Sequence, residues 1–215
     1  MSPALPVLDR DEGDASAFRV TGVVIGIVTN NKDPDSLGRV KVKFPWLSDS
    51  DESAWARVAA PMAGKDRGFY FLPEIDDEVL VVFEHGDMRF PYVLGALWNG
   101  KDKPPATNDD GKNAVRLIKS HSGHTIRLTD KADEEKIEII DKSGNNKLVI
   151  DTATNTISLT TDKDLKLSAA KGRITLSAQT IVIEAQSKLE MKSSATADIK
   201  ASGPLNIKGA VVNLN

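Results

Sequence analysis

The chain has 215 residues, with 28 Lys and Arg against 31 Asp and Glu, three His and no Cys. A formal charge of -3 supplies no basic excess with which to neutralise phosphates, which argues against a nucleic-acid binder. Without cysteine the fold cannot use disulfides, and thiol catalysis and Cys-ligated zinc are excluded.

Residues 1–17 read as an N-terminal extension, polar and acidic through Asp9, Asp11, Glu12 and Asp14. The stretch lacks the basic and apolar regions of a signal peptide, and no apolar run in the chain approaches a membrane span. Synthesis and folding in the cytoplasm are therefore expected. Residues 18–99 read as a small all-β domain. Val20–Val28 is β-branched with interspersed glycines, which point to a bend or a close backbone approach. Asn30–Gly38 is turn-rich. Arg39–Phe44 and Trp55–Ala59 alternate polar and apolar at period 2, the mark of half-buried strands. Glu78–Glu84 is apolar on both faces, and Tyr92–Trp98 closes the set. Five short strands with turns between them fit a Greek-key barrel of the OB type.

Residues 100–113 form a polar linker rich in Gly, Pro and Asn. Beyond it the chemistry changes. All eleven aromatic residues lie between Phe18 and Trp98, and none follows. Residues 114–215 instead repeat apolar i, i+2 pairs: Ile137/Ile139, Leu148/Ile150, Ile157/Leu159, Leu165/Leu167, Ile174/Leu176, Ile181/Ile183, Leu189/Met191, Ala197/Ile199, Leu205/Ile207 and Val212/Leu214. The steps between first members are 11, 9, 8, 9, 7, 8, 8, 8 and 7. A fixed period marks repetitive architecture. Each pair places two side chains on one face of a short strand. Two apolar residues in eight bury too little surface to offset chain entropy in a single chain. Three chains, each giving one strand to a triangular layer, form a prism with the pairs inside and the ladder bonds between chains. At one interstrand distance per repeat, ten layers span on the order of 45–50 Å. A single-chain solenoid would need longer coils, and the nonapeptide Gly-Gly-x-Gly-x-Asp calcium pattern is absent. The expected fold is all-β: an N-terminal OB-fold barrel followed by a C-terminal triple-stranded β-helix in an intertwined homotrimer.

Several segments, in fixed order over roughly residues 18–215, resemble the spike proteins of contractile injection machines, phage baseplate assembly protein V and the barrel-plus-needle part of VgrG-type spikes. They are Asp33-Pro-Asp-Ser-Leu-Gly-Arg-Val-Lys-Val-Lys-Phe-Pro-Trp46, Trp55-Ala-Arg-Val58, Gly68-Phe-Tyr-Phe-Leu-Pro-Glu-Ile-Asp-Asp-Glu-Val-Leu-Val81, Phe83-Glu-His-Gly-Asp87, Pro91–Asn99 and Ser122–Asp130. The resemblance implies an OB-fold collar, a trimeric needle driven through a target envelope when a sheath contracts, a hub protein above and a small tip protein below. Inner-tube and cargo proteins are further implied partners, and contact with the target membrane is transient. VgrG proteins carry a large hub domain before the barrel; with about 17 residues there, this chain is expected to use a separate hub. The lysozyme domain that some relatives insert after the barrel has no counterpart in the linker. Some phage spikes end in a His-x-His metal apex; Val-Val-Asn-Leu-Asn215 has no His, so a PAAR-type tip protein is expected to cap it. The expected trimer core is Ile157, Leu159, Leu165, Leu167, Ile174, Leu176, Ile181, Ile183, Leu189, Met191, Ile199, Leu205 and Ile207. Tip contact is expected at Val212, Asn213, Leu214 and Asn215, and collar or hub contact at Phe18, Trp46, Arg67 and Phe69. The expected setting is a virion baseplate or an injection particle.

Other chemistries have candidate residues in the chain. His121-x-x-His124 could join carboxylates around a metal, but its Ser-Gly surroundings read as a turn at the needle's start. His85 lies in the tight turn Glu84-His-Gly-Asp87. Glu74, Asp76, Asp77, Glu78 and Glu84 could supply a glycan-cleaving pair, but Pro73–Glu78 reads as a solvated turn before a strand. Gly64-Lys-Asp-Arg-Gly68 lacks phosphate-loop spacing, and no Ser-His-Asp pattern or nucleophile elbow occurs. Trp46, Trp55, Phe69, Tyr70, Phe71 and Arg67 could stack nucleic-acid bases; the acidic balance favours a protein contact instead. No catalytic residue, cofactor or metal is therefore assigned, and the chain is expected not to be an enzyme. The competing readings are a glycan-cleaving trimeric tailspike and a nucleic-acid-binding OB module.

Overall fold

The computed structural model describes residues 19–48 and 50–213. The chain divides into two units, Met1–Asp162 and Lys163–Asn215. Among the described residues there is no α-helix, and no helix is long and apolar enough to cross a membrane.

The first part of unit 1 is a barrel. Its main strands are β1 (Val23–Asn30), β2 (Lys41–Lys43), β3 (Arg57–Val58), β6 (Glu78–Phe83) and β7 (Pro91–Ala96), with a small hairpin β4 (Ala63–Gly64) and β5 (Arg67–Gly68) after β3. The sheet order is β2-β1-β6-β7-β3. All its pairings are antiparallel except β3 with β7. The two ends of this sheet meet where Val40 pairs with Ala56, through backbone bonds of 3.0 and 2.7 Å. That closure removes the sheet edges and gives the OB topology.

Period-2 alternation fills the barrel. Along β6, Val79, Val81 and Phe83 are buried while Glu78, Leu80 and Val82 are half-buried. Val28, Val40, Val42 and Val93 join them, and β-branched side chains suit a narrow barrel interior. Phe44 and Phe83 meet edge to face at 5.5 Å, a favoured aromatic geometry. Gly26 is buried on β1 where a Cβ would sit 3.3 Å from the Phe44 ring. The glycine therefore marks a close approach, one of the two readings its place in the strand allowed. The expected strands are present with shifted ends. Val20 lies outside β1 and is tied instead to Gly86 by a 2.9 Å backbone bond. The β4–β5 hairpin is an addition to the expected set.

The second part of unit 1 is a meander of five-residue strands: β8 (Val115–Lys119), β9 (Thr125–Thr129), β10 (Lys136–Ile140), β11 (Lys147–Asp151) and β12 (Thr156–Thr160). All pair antiparallel in sequence order. This corrects the expectation that every ladder bond in the repeat runs between chains. Over Val115–Thr160 the ladder is within one chain, and each strand returns through a turn. The turns account for the long first steps of the repeat: β10, β11 and β12 begin 11 and 9 residues apart. From Leu165 onward the steps are 7 to 9 residues and fall in unit 2, where residues 163–213 carry no strand and are exposed throughout.

Candidate assembly surfaces

The β1–β2 loop is locked by one carboxylate. Asp33 accepts the backbone N–H groups of Asp35, Leu37 and Arg39 at 3.0, 3.0 and 3.2 Å. It also accepts two guanidinium bonds from Arg39, at 2.9 and 2.7 Å. The Arg39 guanidinium, helped by the backbone donors, holds the Asp33 carboxyl well below the usual carboxylate range. Arg39 also lies 5.8 Å from the Trp55 ring centre, with Lys41 at 5.7 Å. The lock presents Leu37, 69% exposed, at the loop tip.

Beside this loop stands an exposed aromatic segment. Phe69 and Phe71 stack at 6.3 Å, and both, with Tyr70, are exposed. Tyr70 lies over Gly38, and the Asn31 side-chain amide donates to the Pro73 carbonyl at 3.1 Å. Glu74, next along, lies 2.7 Å from Nδ1 of His121 in the β8–β9 turn. The barrel end that carries Leu37 and the aromatics is thus the end that meets the meander. At the opposite end of β1, Val20, Val23, Val24, Ile25, Pro45 and Trp46 line an open apolar cavity of about 610 Å³.

The meander has two unlike faces. On one, two rows of aliphatic side chains cross the sheet in register: Ile118, Ile126, Ile139, Leu148 and Leu159, and beside them Leu128, Ile137, Ile150 and Ile157. Apart from Leu148 these side chains are exposed, Ile157 at 73%. On the other face the register aligns Leu117, Arg127, Glu138, Val149 and Ser158. Glu138 is buried there, 3.4 Å from Lys136, and Nε of Arg127 is buried without a hydrogen-bond partner.

In unit 2 the apolar pairs stay exposed, from Leu165 and Leu167 to Leu205 and Ile207. Glu190, between Leu189 and Met191, pairs with Lys188 and Lys192. These two lysines hold the Glu190 carboxyl below its ordinary value.

The residues singled out in the sequence fall as follows. Every expected trimer-core residue from Ile157 to Ile207 is exposed. Trp46 lines the apolar cavity, Arg67 is on β5 and Phe69 is in the aromatic segment. Val212 and Asn213 are exposed. Phe18, Leu214 and Asn215 lie outside the described residues. His121 and His124 are engaged separately, the latter accepting the Lys142 N–H at Nδ1. His85 adopts φ 51° in a short 3-10 turn. The acidic cluster is taken up locally: Asp77 accepts the Glu74 N–H, Glu78 the Asn99 amide, and Glu84 the Tyr92 hydroxyl. Among the described residues no group of three His, Cys, Asp or Glu is placed to hold a metal.

Two features escaped the sequence reading. The aliphatic rows begin at Ile118, Ile126 and Leu128, before the first expected pair; the alternation in Thr125-Ile-Arg-Leu-Thr129 carries that signal. The cavity joins Val23 and Ile25 to Pro45 and Trp46 across two strands, which no local pattern reveals.

Comparison with known proteins accords with this geometry. Residues 24–98, the barrel, match the family model of the type VI secretion system/phage-baseplate injector OB domain. The type VI secretion system spike protein VgrG1a of Pseudomonas aeruginosa is 28% identical over 90% of this chain and 35% of its own length. VgrG2a of the same organism is 33% identical over 68% of this chain and 16% of its own length. The actin cross-linking toxin VgrG1 of Vibrio cholerae is 35% identical over 48% of this chain and 10% of its own length. The chain thus spans from a tenth to about a third of these relatives. An injector OB barrel, followed by a β meander and a region of regularly spaced apolar pairs, makes the chain a VgrG-like baseplate or spike protein.

Proposed function

We propose that this chain is the structural central spike of a contractile injection apparatus, acting as a homotrimer that punctures a target envelope mechanically. One observation carries this reading: apart from Leu148, the aliphatic rows of β8–β12 and the apolar pairs of residues 163–213 are left exposed in one chain. Exposed apolar surface of this extent marks a protein contact. Three copies with these faces turned inward remove it from water, each side chain contributing roughly 1.5–3 kcal/mol on full burial. The unstranded segment gains ladder partners in the same step. Force then passes from barrel to needle without bond-making chemistry. A hub above the barrel and a PAAR-type tip protein beyond the apolar repeat complete the stack.

The mass in solution tests the proposal. The full chain is expected to run as a trimer that resists SDS and heat; a monomer by light scattering overturns it. Ile139→Asp and Leu176→Asp each bring three like charges together in an apolar interior, which costs several kcal/mol per ion. Both variants are expected to lose the trimer while keeping barrel near-UV circular dichroism.

A further inference from the structure

We propose that unit 2 presents a basic outer surface that docks on an anionic lipid layer, so that the segment meets a target envelope through charge. The whole-chain charge of -3 conceals an asymmetry. Unit 2, Lys163–Asn215, holds eight Lys and Arg against four Asp and Glu, a net +4. The 162 residues before it hold 20 against 27, a net -7. Opposite charge on two parts of one chain points to a polyanionic partner for the basic part.

The cations of unit 2 occupy one class of position. Lys166 stands between Leu165 and Leu167, and Arg173 precedes Ile174. Lys188 and Lys192 flank Leu189 and Met191, while Lys200 and Lys208 follow Ile199 and Ile207. In extended chain the immediate neighbours of an apolar pair point away from it. The outward direction of these side chains rests on the needle reading: turning the pairs inward turns all six cations out, from the Leu165 repeat to the Leu205 repeat. All six are exposed. The neighbouring acids do not cancel them, since Glu190 is shared by Lys188 and Lys192, and Asp198 lies 3.9 Å from Lys200.

The make-up of this surface selects lipid among polyanions. Nucleic-acid surfaces stack bases on aromatic rings and grip phosphates with the Arg fork. Residues 99–215 have no aromatic residue, and Arg173 is the single Arg of unit 2. Lys is a hydrated point charge on a flexible stem, suited to a fluid layer of headgroup phosphates with no fixed geometry. Ser168, Thr175, Ser177 and Asn206 share the outward positions, so the contact stays at the headgroups and reverses readily.

The experiment is co-sedimentation of the full chain with vesicles, its mass by light scattering being measured in parallel. The vesicles are phosphatidylcholine alone or mixed with phosphatidylglycerol. At about 0.1 M salt, where exposed charges act over roughly 10 Å, the chain is expected to sediment with the mixed vesicles only. At about 1 M, where that range falls to roughly 3 Å, it is expected to stay in solution. Lys166→Gln, Arg173→Gln, Lys200→Gln and Lys208→Gln together leave unit 2 without net charge. That variant is expected to need about tenfold more anionic lipid for half-binding. Lys32→Gln, Lys101→Gln, Lys103→Gln and Lys112→Gln remove the same charge from exposed sites in unit 1 and are expected to change nothing. A trimer that ignores the mixed vesicles overturns the lipid docking and leaves the spike reading standing; a monomer overturns both. Equal loss in the two variants, or sedimentation with phosphatidylcholine alone, overturns the assignment to the unit 2 cations. Equal retention on single-stranded DNA at the same salt overturns the choice of lipid.

Discussion

Single carboxylates set the turns that space this fold, and Asp141 shows how. It accepts the Ser143 hydroxyl at 2.7 and 2.9 Å, the Asn146 side-chain amide at 2.9 Å and the Asn146 N–H at 3.3 Å. Those bonds favour the charged form, Ser143 first, and lower the Asp141 pKa from 3.8 to about 2. A depressed carboxylate stabilises the fold fully above its unfolded pKa, and the contribution fades as pH falls through the folded one. The β10–β11 turn should therefore hold at pH 4 and loosen between about 3.8 and 2. In a pH titration followed by NMR, the Gly144 and Asn146 amide shifts are expected to move with a midpoint near 2. A midpoint near 3.8 would contradict the bonding described here. Asp33 plays the same part in the β1–β2 loop, with a guanidinium in place of a hydroxyl as its leading partner.

At the level of the strand, the two faces of the meander make different demands. The aliphatic rows face outward from the chain, but the opposite face buries Glu138 with Arg127 facing it across the ladder and Lys136 close by. Glu138→Ala would leave two cations on that face without the carboxylate, and an unsatisfied buried polar group costs about 1–3 kcal/mol. A lower urea midpoint at equal protein concentration is the expected result, with a smaller loss for Glu138→Gln; an unchanged midpoint would show that Glu138 does not support the sheet. Neither partner stood out in the sequence, since Arg127 and Glu138 each read as an ordinary polar position between apolar neighbours. Period-2 alternation revealed the strands and their faces, because it depends only on local geometry. Ile137/Ile139, Leu148/Ile150 and Ile157/Leu159 do form continuous cross-strand rows. Which chain supplies the next strand is a different matter. The step of 11 between Ile137 and Leu148 leaves room for the β10–β11 turn, but the next step of 9 recurs between Leu165 and Ile174, where no strand forms, so spacing alone did not separate hairpins from the rest of the repeat. The cavity was hidden for a related reason: its walls come from two strands brought together by the barrel.

For the molecule as a whole, the contrast lies in where backbone groups find partners. In the barrel sheet and between neighbouring strands of the meander, backbone N–H and C=O groups pair within the chain. Residues 163–213 have no such ladder, although their apolar pairs continue the repeat. Backbone polar groups beside packed apolar side chains need hydrogen-bond partners. Under the proposed assembly those partners come from the neighbouring chains, so order in this segment and association are one event. Amide hydrogen exchange separates the two regions. In the assembled protein, amides of residues 165–207 are expected to be protected; in Leu176→Asp they should exchange freely. Amides at Val28 and Val81 should stay slow in both, since the barrel closes without a second copy. Strong protection of residues 165–207 in a monomer would mean that the segment finds its partners within one chain, and the proposed spike would fail with it. Loss of protection together with loss of the trimer would place the needle's backbone bonds between chains.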